Sequence, residues 1–316
     1  MTAMSCWAGA GSNSLQGMAR SAVRNRVEWA AVCLILGFFR VLPRRVADAA
    51  ALAVVSLLRL SVRRYTRVAR RNLAIAFPDL DEARKQDYLD GCFRNIARVV
   101  VAVAKFPLIS KRNVRTWIRY EGFEHFEEAL RLGRGVVFAT GHLGNWELSA
   151  FAHALMAGPM GVVVRPLDNP LLDRLAMRYR TMSGNSVISR RESARPIMQM
   201  LRANAAVGIL ADQNTTEDRG IFVEFFEIPA CVDAGLAKLA AHTGAAIIPG
   251  FAVWSEAERR YILRFYPAIQ PSGDQLRDTQ AVQAALERAI RDYPDQWLWI
   301  HRRWKTRPAG AAPIYE

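Results

Sequence analysis

The sequence predicts an α/β protein with a largely parallel mixed sheet flanked by helices, preceded by a helical region that anchors it to a membrane. From residue 121 onward, short β-rich runs alternate with helical patterns, which is typical of α/β domains. Before residue 121, two apolar stretches alternate with two clusters of arginine. With 316 residues, of which 51% are hydrophobic, the chain can bury a large core. This excludes a disordered chain, a collagen and a disulfide-stabilised miniprotein.

The positive charge is confined to the first part of the chain. Residues 1–120 contain 21 basic and 7 acidic side chains, whereas residues 121–316 contain 22 of each. The formal net charge of +14 therefore belongs wholly to the first 120 residues. Such a segment faces an anionic partner, either a membrane surface with acidic lipids or a nucleic acid, and the charge alone does not choose between them.

Three regions are predicted along the chain: a disordered tail at 1–19, a basic helical membrane-associated region at 20–120, and an α/β domain at 121–316. The apolar run 29–39 has only 11 uninterrupted residues, whereas a helix that spans a bilayer needs about 20. A second apolar stretch, 46–60, leads into a cluster of arginines. We predict a membrane anchor with a basic collar on the cytoplasmic side. The alternatives are a secretory signal, an amphipathic helical pair packed on the rest of the protein, and a nucleic-acid-binding arm.

The four cysteines indicate neither a metal site nor a disulfide framework. Cys6, Cys33, Cys92 and Cys231 are far apart, and no C-x-x-C pair occurs. Cysteines of this kind are usually buried and reduced, which fits a reducing cytoplasm.

Five strands and six helices are predicted after residue 120. Each predicted strand is a short run rich in β-branched and other apolar residues, and helical patterns fill the intervals. The strands are expected at 135–140, 161–165, 206–211, 246–253 and 261–265. The helices are expected at 122–132, 145–157, 170–183, 193–204, 233–243 and 277–292.

The block Gly141-His-Leu-Gly-Asn-Trp-Glu147 follows the first of these strands, at the edge where reacting groups gather in open α/β sheets. On one ideal helix His142 and Glu147 would point about 140° apart and could not meet. If His142 lies in a loop and Glu147 one turn inside the next helix, the carboxylate can reach the imidazole. We therefore predict a histidine base held by a carboxylate, the arrangement that deprotonates a hydroxyl. The alternative is a satisfied loop histidine and a solvated glutamate.

Other catalytic motifs are missing from the sequence. It contains no G-x-S-x-G nucleophile elbow and no G-x-x-x-x-G-K-[ST] phosphate loop. A metal site can be drawn from His142, Glu147 and His153, but the spacing matches no H-E-x-x-H-type pattern, so no metal is predicted. A His–Glu pair without a protein nucleophile indicates direct transfer, in which the base activates a substrate hydroxyl to attack the carbonyl of a donor.

Several short blocks, taken in order, give a resemblance to a known family. They are Arg71-Asn-Leu with Phe77-Pro78, the 141–147 block, Arg165-Pro-Leu with Asn169-Pro170, Asp212-Gln213, Phe222-Val-Glu-Phe-Phe226 with Pro229-Ala230 and Gly235, and Gln296-Trp-Leu-Trp with His301-Arg-Arg-Trp-Lys305. Over about residues 25–307 the chain resembles the bacterial lipid A biosynthesis late acyltransferases, the lauroyl and myristoyl transferases of the lysophospholipid acyltransferase superfamily.

The resemblance implies an enzyme at the cytoplasmic face of the inner membrane that moves a fatty acyl group onto a hydroxyl of a phosphorylated glycolipid. The implied donor is acyl carrier protein, or coenzyme A in its place, with no other cofactor, no metal and no nucleic-acid partner. His142 takes the role of general base, and Glu147 that of the residue which orients it. The implied substrate-binding residues are Arg165, which stabilises the thioester oxyanion or holds a lipid phosphate, together with Asn169, Asp212, Gln213, Arg302 and Arg303.

Two residues depart from the family pattern. Glu227 stands where Gly is common, and Val232 stands where Thr is common. Both fall in one loop, so the acceptor and the acyl-chain specificity stay open, and an ornithine lipid, another glycolipid or a mannoside is an alternative acceptor. A lipid-binding protein without turnover and a nucleic-acid-binding protein are the alternatives from other functional classes.

Overall fold

The centre of the structure is a seven-stranded sheet with helices packed on both faces. The computed structural model describes residues 21–190 and 194–315, so the predicted tail at 1–19 lies outside the described residues. The strands are β1 (Ile118–Glu121), β2 (Val136–Thr140), β3 (Gly161–Val164), β4 (Ser186–Ser189), β5 (Ala206–Leu210), β6 (Gly220–Phe225), β7 (Ile228–Asp233), β8 (Ala246–Ser255) and β9 (Arg260–Phe265). The helices are α1 (Ala22–Val41), α2 (Arg44–Ser61), α3 (Arg63–Ala76), α4 (Glu82–Lys105), α5 (Phe123–Arg131), α6 (Trp146–Met156), α7 (Pro170–Thr181), α8 (Ala194–Arg202), α9 (Gly235–Thr243) and α10 (Gln275–Asp292).

The sheet has the order β1-β9-β8-β2-β5-β3-β4. Strands β8, β2, β5, β3 and β4 are parallel, whereas β9 is antiparallel to β8 and parallel to β1. This confirms the predicted α/β class with a largely parallel mixed sheet. The five predicted strands correspond to β2, β3, β5, β8 and β9, and the prediction missed the two edge strands β1 and β4.

The central strand β2 is buried on both faces. Phe138 packs in the same apolar cluster as residues of α4, α5 and α6. Its neighbours Val137 and Ala139 pack in a second cluster with residues of α8 and α9. Because side chains alternate along a strand, the two faces of the sheet receive different helices. The carboxyl ends of the parallel strands therefore open between two helical layers.

The hairpin β6–β7, which the prediction missed, forms a separate two-stranded ribbon. Its two turn residues, Phe226 and Glu227, have φ values of 52° and 61°. Two consecutive residues with positive φ define a type I′ turn, in which Gly and Asn are preferred. Glu227, one of the two residues that depart from the family pattern, thus occupies a backbone position that favours glycine.

Four N-terminal helices pack on one another and share apolar clusters with residues of the sheet. The break between α1 and α2 falls at Pro43, which restricts the preceding residue to extended backbone. At the end of α1, the Lys105 ammonium donates to the carbonyl oxygens of Arg40 and Leu42 at 3.0 Å and 2.6 Å. These bonds satisfy carbonyl groups that the end of a helix leaves without partners. The turn between α1 and α2 is thereby fixed to α4.

The predicted membrane anchor is amphipathic. Within the described residues, no helix combines the length and the apolar character that crossing a bilayer requires. Buried residues of α1 and α2, such as Phe39 and Ala51, belong to the same apolar cluster as sheet residues. The opposite faces expose large apolar side chains, among them Leu34, Leu57 and Leu60 at 75%, 65% and 72%. One side of the helical pair therefore packs on the protein, and the other faces outward.

Candidate active site

The loop between β2 and α6 carries His142 at the carboxyl end of the sheet. Two glycines set its path. Gly144 has a φ of 63°, and a Cβ there would lie 1.9 Å from the carbonyl oxygen of Ala252. At Gly141 a Cβ would lie 2.8 Å from a methyl carbon of Leu286. A side chain at Gly144 would meet backbone and displace the loop, and one at Gly141 would press on the side chains of Leu286 and Asp212, so the glycines allow His142 to lie close to the strand ends.

His142 is hydrogen-bonded to Asp212 through both its backbone and its ring. The distance from Nδ1 to Oδ1 is 2.8 Å, and the distance from the His142 amide nitrogen to Oδ2 is 2.7 Å. The exposed fraction of the side chain is 14% for His142 and 3% for Asp212. Because Nδ1 donates to the carboxylate, Nε2 is the ring nitrogen that can accept a proton from a substrate.

The pairing of His142 with Asp212 follows from the strand register. Thr140 and Leu210 are partners on the neighbouring parallel strands β2 and β5. This pair ends both strands, and His142 and Asp212 each lie two residues beyond it, which brings the histidine and the aspartate side by side. The family resemblance implies only a substrate-binding role for Asp212, because its pairing with His142 depends on β2 and β5 being neighbours in the sheet.

The local charges favour a basic imidazole next to an ionised carboxylate. Burial alone lowers the pKa of His142, but the charge and hydrogen bond of Asp212, with the charge of Glu147, raise it above the usual 6.5. Burial works in the opposite direction on Asp212, yet the contacts with His142 and Trp297 hold the pKa of this carboxyl far below its usual value. A carboxylate that stays ionised stabilises the imidazolium formed when the histidine takes a proton.

Glu147 does not make the predicted contact with the imidazole. It lies in the first turn of α6, as predicted, but its carboxylate binds the guanidinium of Arg180 on α7 through both oxygens, with Nε at 3.0 Å from Oε2. The physical reason is that Asp212 already occupies Nδ1 of His142. In the structure the carboxylate bound to the ring is therefore that of Asp212, and Glu147 is paired with Arg180.

Two cavities share a wall beside His142. An open cleft of about 990 Å³ is lined by His142 and by residues that follow β3 and β5. A narrower and largely apolar cavity of about 60 Å³ lies between α6 and one face of the sheet. The residues that line both cavities are Trp146, Glu147, Val163, Val164, Arg180 and Leu210. The Glu147–Arg180 pair thus stands where the polar cleft adjoins the apolar cavity.

The structure places the predicted substrate-binding residues in different surroundings. Arg165 and Gln213 line the open cleft. Asn169 caps α7 instead, accepting from Leu171 N at 3.0 Å, and its amide donates to Asn25 O and to Glu28.

The two arginines of the C-terminal block are placed differently. Arg303 is fully buried and donates to Gln283 Oε1 at 3.0 Å and to the carbonyl oxygen of Cys231. Burial lowers its pKa to about 10. Arg302 is half-buried, with its guanidinium over the ring of Tyr315. In the part of the chain that the structure describes, no group of three or more His, Cys, Asp or Glu side chains is arranged to hold a metal ion.

The comparisons with known proteins agree on one family. Residues 18–306 match the family model described as bacterial lipid A biosynthesis acyltransferase. The lipid A biosynthesis lauroyltransferase of Escherichia coli is 26% identical over 257 residues, which are 80% of this chain and 83% of the relative. A lipid A biosynthesis acyltransferase of Haemophilus influenzae is 26% identical over 77% of this chain and 76% of its own. A phosphatidylinositol mannoside acyltransferase of Mycobacterium tuberculosis is 28% identical over 74% of this chain and 76% of its own. The chain is therefore an acyltransferase that belongs to the bacterial lipid A biosynthesis acyltransferase family.

Proposed function

We propose that this acyltransferase moves a fatty acyl chain from an acyl carrier protein thioester to a hydroxyl of a lipid A precursor or a related phosphorylated glycolipid. His142 is the general base, and Asp212 orients it. The observation that carries this proposal is the 2.8 Å contact between His142 Nδ1 and Asp212 Oδ1 in a cleft that adjoins an apolar cavity. Similarity to named lipid A acyltransferases supports the substrate class.

The reaction needs one base and one site for negative charge. Nε2 of His142 takes the proton of the acceptor hydroxyl as its oxygen attacks the thioester carbonyl. The charge that develops on the carbonyl oxygen lies near Arg180, which Glu147 holds at the junction of the two cavities. When the C–S bond breaks, the imidazolium returns the proton to the departing thiolate. The products are an ester and a free thiol, so no nucleotide or redox group takes part.

The apolar cavity is the proposed site of the fatty acyl chain. Its walls are side chains of α6 and alternate residues of the strands, including Val162, Leu210 and Leu263. Its volume of about 60 Å³ is below the range of about 300–1,000 Å³ that is usual for small-molecule pockets, so the side chains of its walls have to move apart to admit a full acyl chain. A chain that entered past Arg180 would place its thioester at the base and its methyl end among Phe138, His153 and Phe265.

The open cleft is the proposed site of the acceptor headgroup. Several basic side chains line it, namely Arg165, Arg190, Arg219, Lys238 and His242. Arginine and lysine are the usual partners of phosphate in proteins. This favours a phosphorylated acceptor over a neutral glycolipid, and an acidic carrier protein is attracted by the same charges.

The test is a grid of donors and acceptors given to the purified full chain in detergent. The donors are lauroyl-acyl carrier protein and lauroyl-coenzyme A. The acceptors are a phosphorylated acyl-diglucosamine lipid, its dephosphorylated form and a phosphatidylinositol mannoside. We expect ester product, detected by mass spectrometry, from the carrier-protein donor and the phosphorylated acceptor. If only lauroyl-coenzyme A gives product, the proposed donor is wrong. If only the mannoside is acylated, the proposed acceptor is wrong. No product in any combination would contradict the proposed function.

The outward face of α1 and α2 is proposed to lie on the cytoplasmic surface of the inner membrane. Large apolar side chains are exposed there, including Phe38, Leu57 and Leu60. Arg63, Arg64 and Arg67 follow directly in α3 and are exposed as well. Apolar side chains enter the boundary between headgroups and acyl chains, while the neighbouring arginines bind anionic lipids. This orientation supports delivery of a lipid acceptor to the cleft.

Exposed leucines provide a direct test of membrane contact. We expect the double variant Leu57→Glu/Leu60→Glu to bind vesicles of anionic phospholipid about tenfold more weakly than the parent, because two exposed leucines proposed to insert into the membrane become charged. Co-sedimentation with vesicles measures this. The matched control is Leu132→Glu, since Leu132 is 56% exposed but lies at the end of α5, away from the helical pair. Equal binding by the parent and the double variant would contradict the proposed membrane face.

A further inference from the structure

The carboxylate of Asp212 has a further partner, the indole of Trp297. The indole nitrogen donates to Oδ2 at 2.9 Å. Together with the two bonds from His142, the carboxylate accepts three hydrogen bonds, one on Oδ1 and two on Oδ2. The Trp297 side chain is 1% exposed, so this contact is made without water. Sequence reasoning placed the tryptophan-rich C-terminal block in the family pattern but gave Trp297 no role.

The backbone around Trp297 pairs with the loop that carries His142. Gly144 N donates to Gln296 O at 3.0 Å, and Leu298 N donates to His142 O at 3.1 Å. Leu143 and Trp297 form an isolated antiparallel bridge between these two bonds. The histidine and the tryptophan therefore stand on opposite strands of one short ribbon, with the Asp212 carboxylate between their side chains.

Two buried asparagines of the N-terminal helices hold this ribbon in place. Asn95 on α4 donates to Gly144 O at 2.7 Å and to Gln296 O at 2.9 Å. Asn72 on α3 donates to the carbonyl oxygens of Trp299 and His301 at 2.6 Å and 2.7 Å. Each amide joins two carbonyl groups that would otherwise lose hydrogen bonds on burial. The indole is thus held in position before any substrate arrives.

We propose that Trp297 is a positioning residue that acts on His142 through Asp212. Its indole N–H holds Oδ2 and takes a share of the carboxylate's negative charge. This role rests on the proposed function, in which His142 must be unprotonated to accept the proton of the acceptor. A hydrogen bond donated to a carboxylate stabilises its charge and leaves less of it to attract an imidazolium. The indole thereby limits how tightly His142 holds a proton.

The expected result of Trp297→Phe follows from this balance. Without the indole donor, Asp212 attracts the imidazolium more strongly. The acid limb of the plot of kcat/KM against pH therefore moves to higher pH by about one unit. The rate at pH 7 falls accordingly and returns to nearly the parent value at pH 9. A merely structural role would lower the rate at every pH and leave the limb in place.

A neighbouring tryptophan provides the control. Trp299 is also fully buried, but its indole donates to Pro294 O at 2.6 Å and not to Asp212. Trp299→Phe removes the same atoms, and its acid limb should coincide with that of the parent. If Trp297→Phe does not fold, benzothienylalanine at position 297 keeps the shape of the side chain and removes only the N–H donor. The proposal would be overturned if the acid limb of the position-297 variant lay at the same pH as that of the parent. It would also be overturned if the acid limb of Trp299→Phe moved by the same amount as that of the position-297 variant.

A titration that needs no turnover separates this inference from the proposed function. The chain has five histidines, and NMR of the full chain with labelled imidazoles, assigned with His142→Gln, follows the protonation of His142 directly. If the pKa of His142 rises in the Trp297 variant but no acyl product forms from any donor, the proposed function fails and the role of Trp297 stands. If product forms but the titration of His142 does not move, the role of Trp297 fails alone.

Discussion

Asp212→Asn should lower kcat by about 10⁴-fold, the loss seen when the orienting carboxylate of a catalytic histidine becomes an amide. The amide cannot stabilise the imidazolium, and its NH₂ group can face Nδ1 and favour the wrong tautomer. Initial rates with lauroyl-acyl carrier protein and the phosphorylated acceptor measure the effect. Asp278→Asn is the matched control, because Asp278 is equally buried but binds Ser272 and Gly273 instead of a histidine. The control should retain a rate close to that of the parent.

The pH dependence distinguishes Asp212 from Glu147. The charge and hydrogen bond of Asp212 raise the pKa of His142, so the pKa falls in Asp212→Asn and the acid limb of the remaining activity moves to lower pH. In Glu147→Gln the imidazole keeps its bond to Asp212, and the limb should stay closer to that of the parent. The reverse order, with the larger movement in Glu147→Gln, would show that Glu147 orients the base in solution.

Gly250→Ala should shift the acyl-chain preference toward shorter donors. Gly250 lines the inner part of the apolar cavity. A Cβ there would lie 3.7 Å from Phe265 and 3.9 Å from Phe138, both ordinary contacts. The new methyl group therefore occupies cavity space without displacing the strand. One methylene in an apolar pocket changes kcat/KM about 10- to 200-fold. We therefore compare kcat/KM for the longest donor that the parent accepts with kcat/KM for a donor that is shorter by two carbons. The ratio of the first value to the second should fall at least about tenfold in Gly250→Ala.

A competition among carrier-protein donors of different chain length measures this ratio in a single reaction. Gly37→Ala is the control, because a Cβ at Gly37 on α1 meets no other atom within 4 Å. Its product distribution should match that of the parent. An unchanged distribution in Gly250→Ala would place the acyl chain elsewhere.

The sheet could be predicted where the strands are apolar and central. Strands β2, β3, β5, β8 and β9 were located to within two residues at each end. The edge strands β1 and β4 have only four residues each and carry polar groups, so they give little pattern. The β6–β7 hairpin was missed because its turn residues, Phe226 and Glu227, are not the Gly or Asn that normally indicate a type I′ turn.

The candidate site could be predicted only in part, because its contacts join distant parts of the chain. The position of His142 in a loop followed from the flanking glycines and the preceding strand. Its partner Asp212 lies 70 residues further on, and only the pairing of β2 with β5 brings the two together. Glu147 is the carboxylate nearest to His142 along the chain, which is why the sequence favoured it as the partner of the imidazole. The surroundings of Asn169, which caps α7, and of Arg303, which is fully buried, could not be predicted for a related reason, since burial against other elements is decided by the tertiary fold.

The turnover of His142→Ala, compared with the parent under the same conditions, tests the central claim most directly. The measurement is the initial rate of ester formation from lauroyl-acyl carrier protein and the phosphorylated acceptor, with the folded state of both proteins checked by circular dichroism. Loss of the general base should lower kcat by about 10²- to 10⁴-fold. A folded His142→Ala variant that transfers acyl groups as fast as the parent would contradict the mechanism.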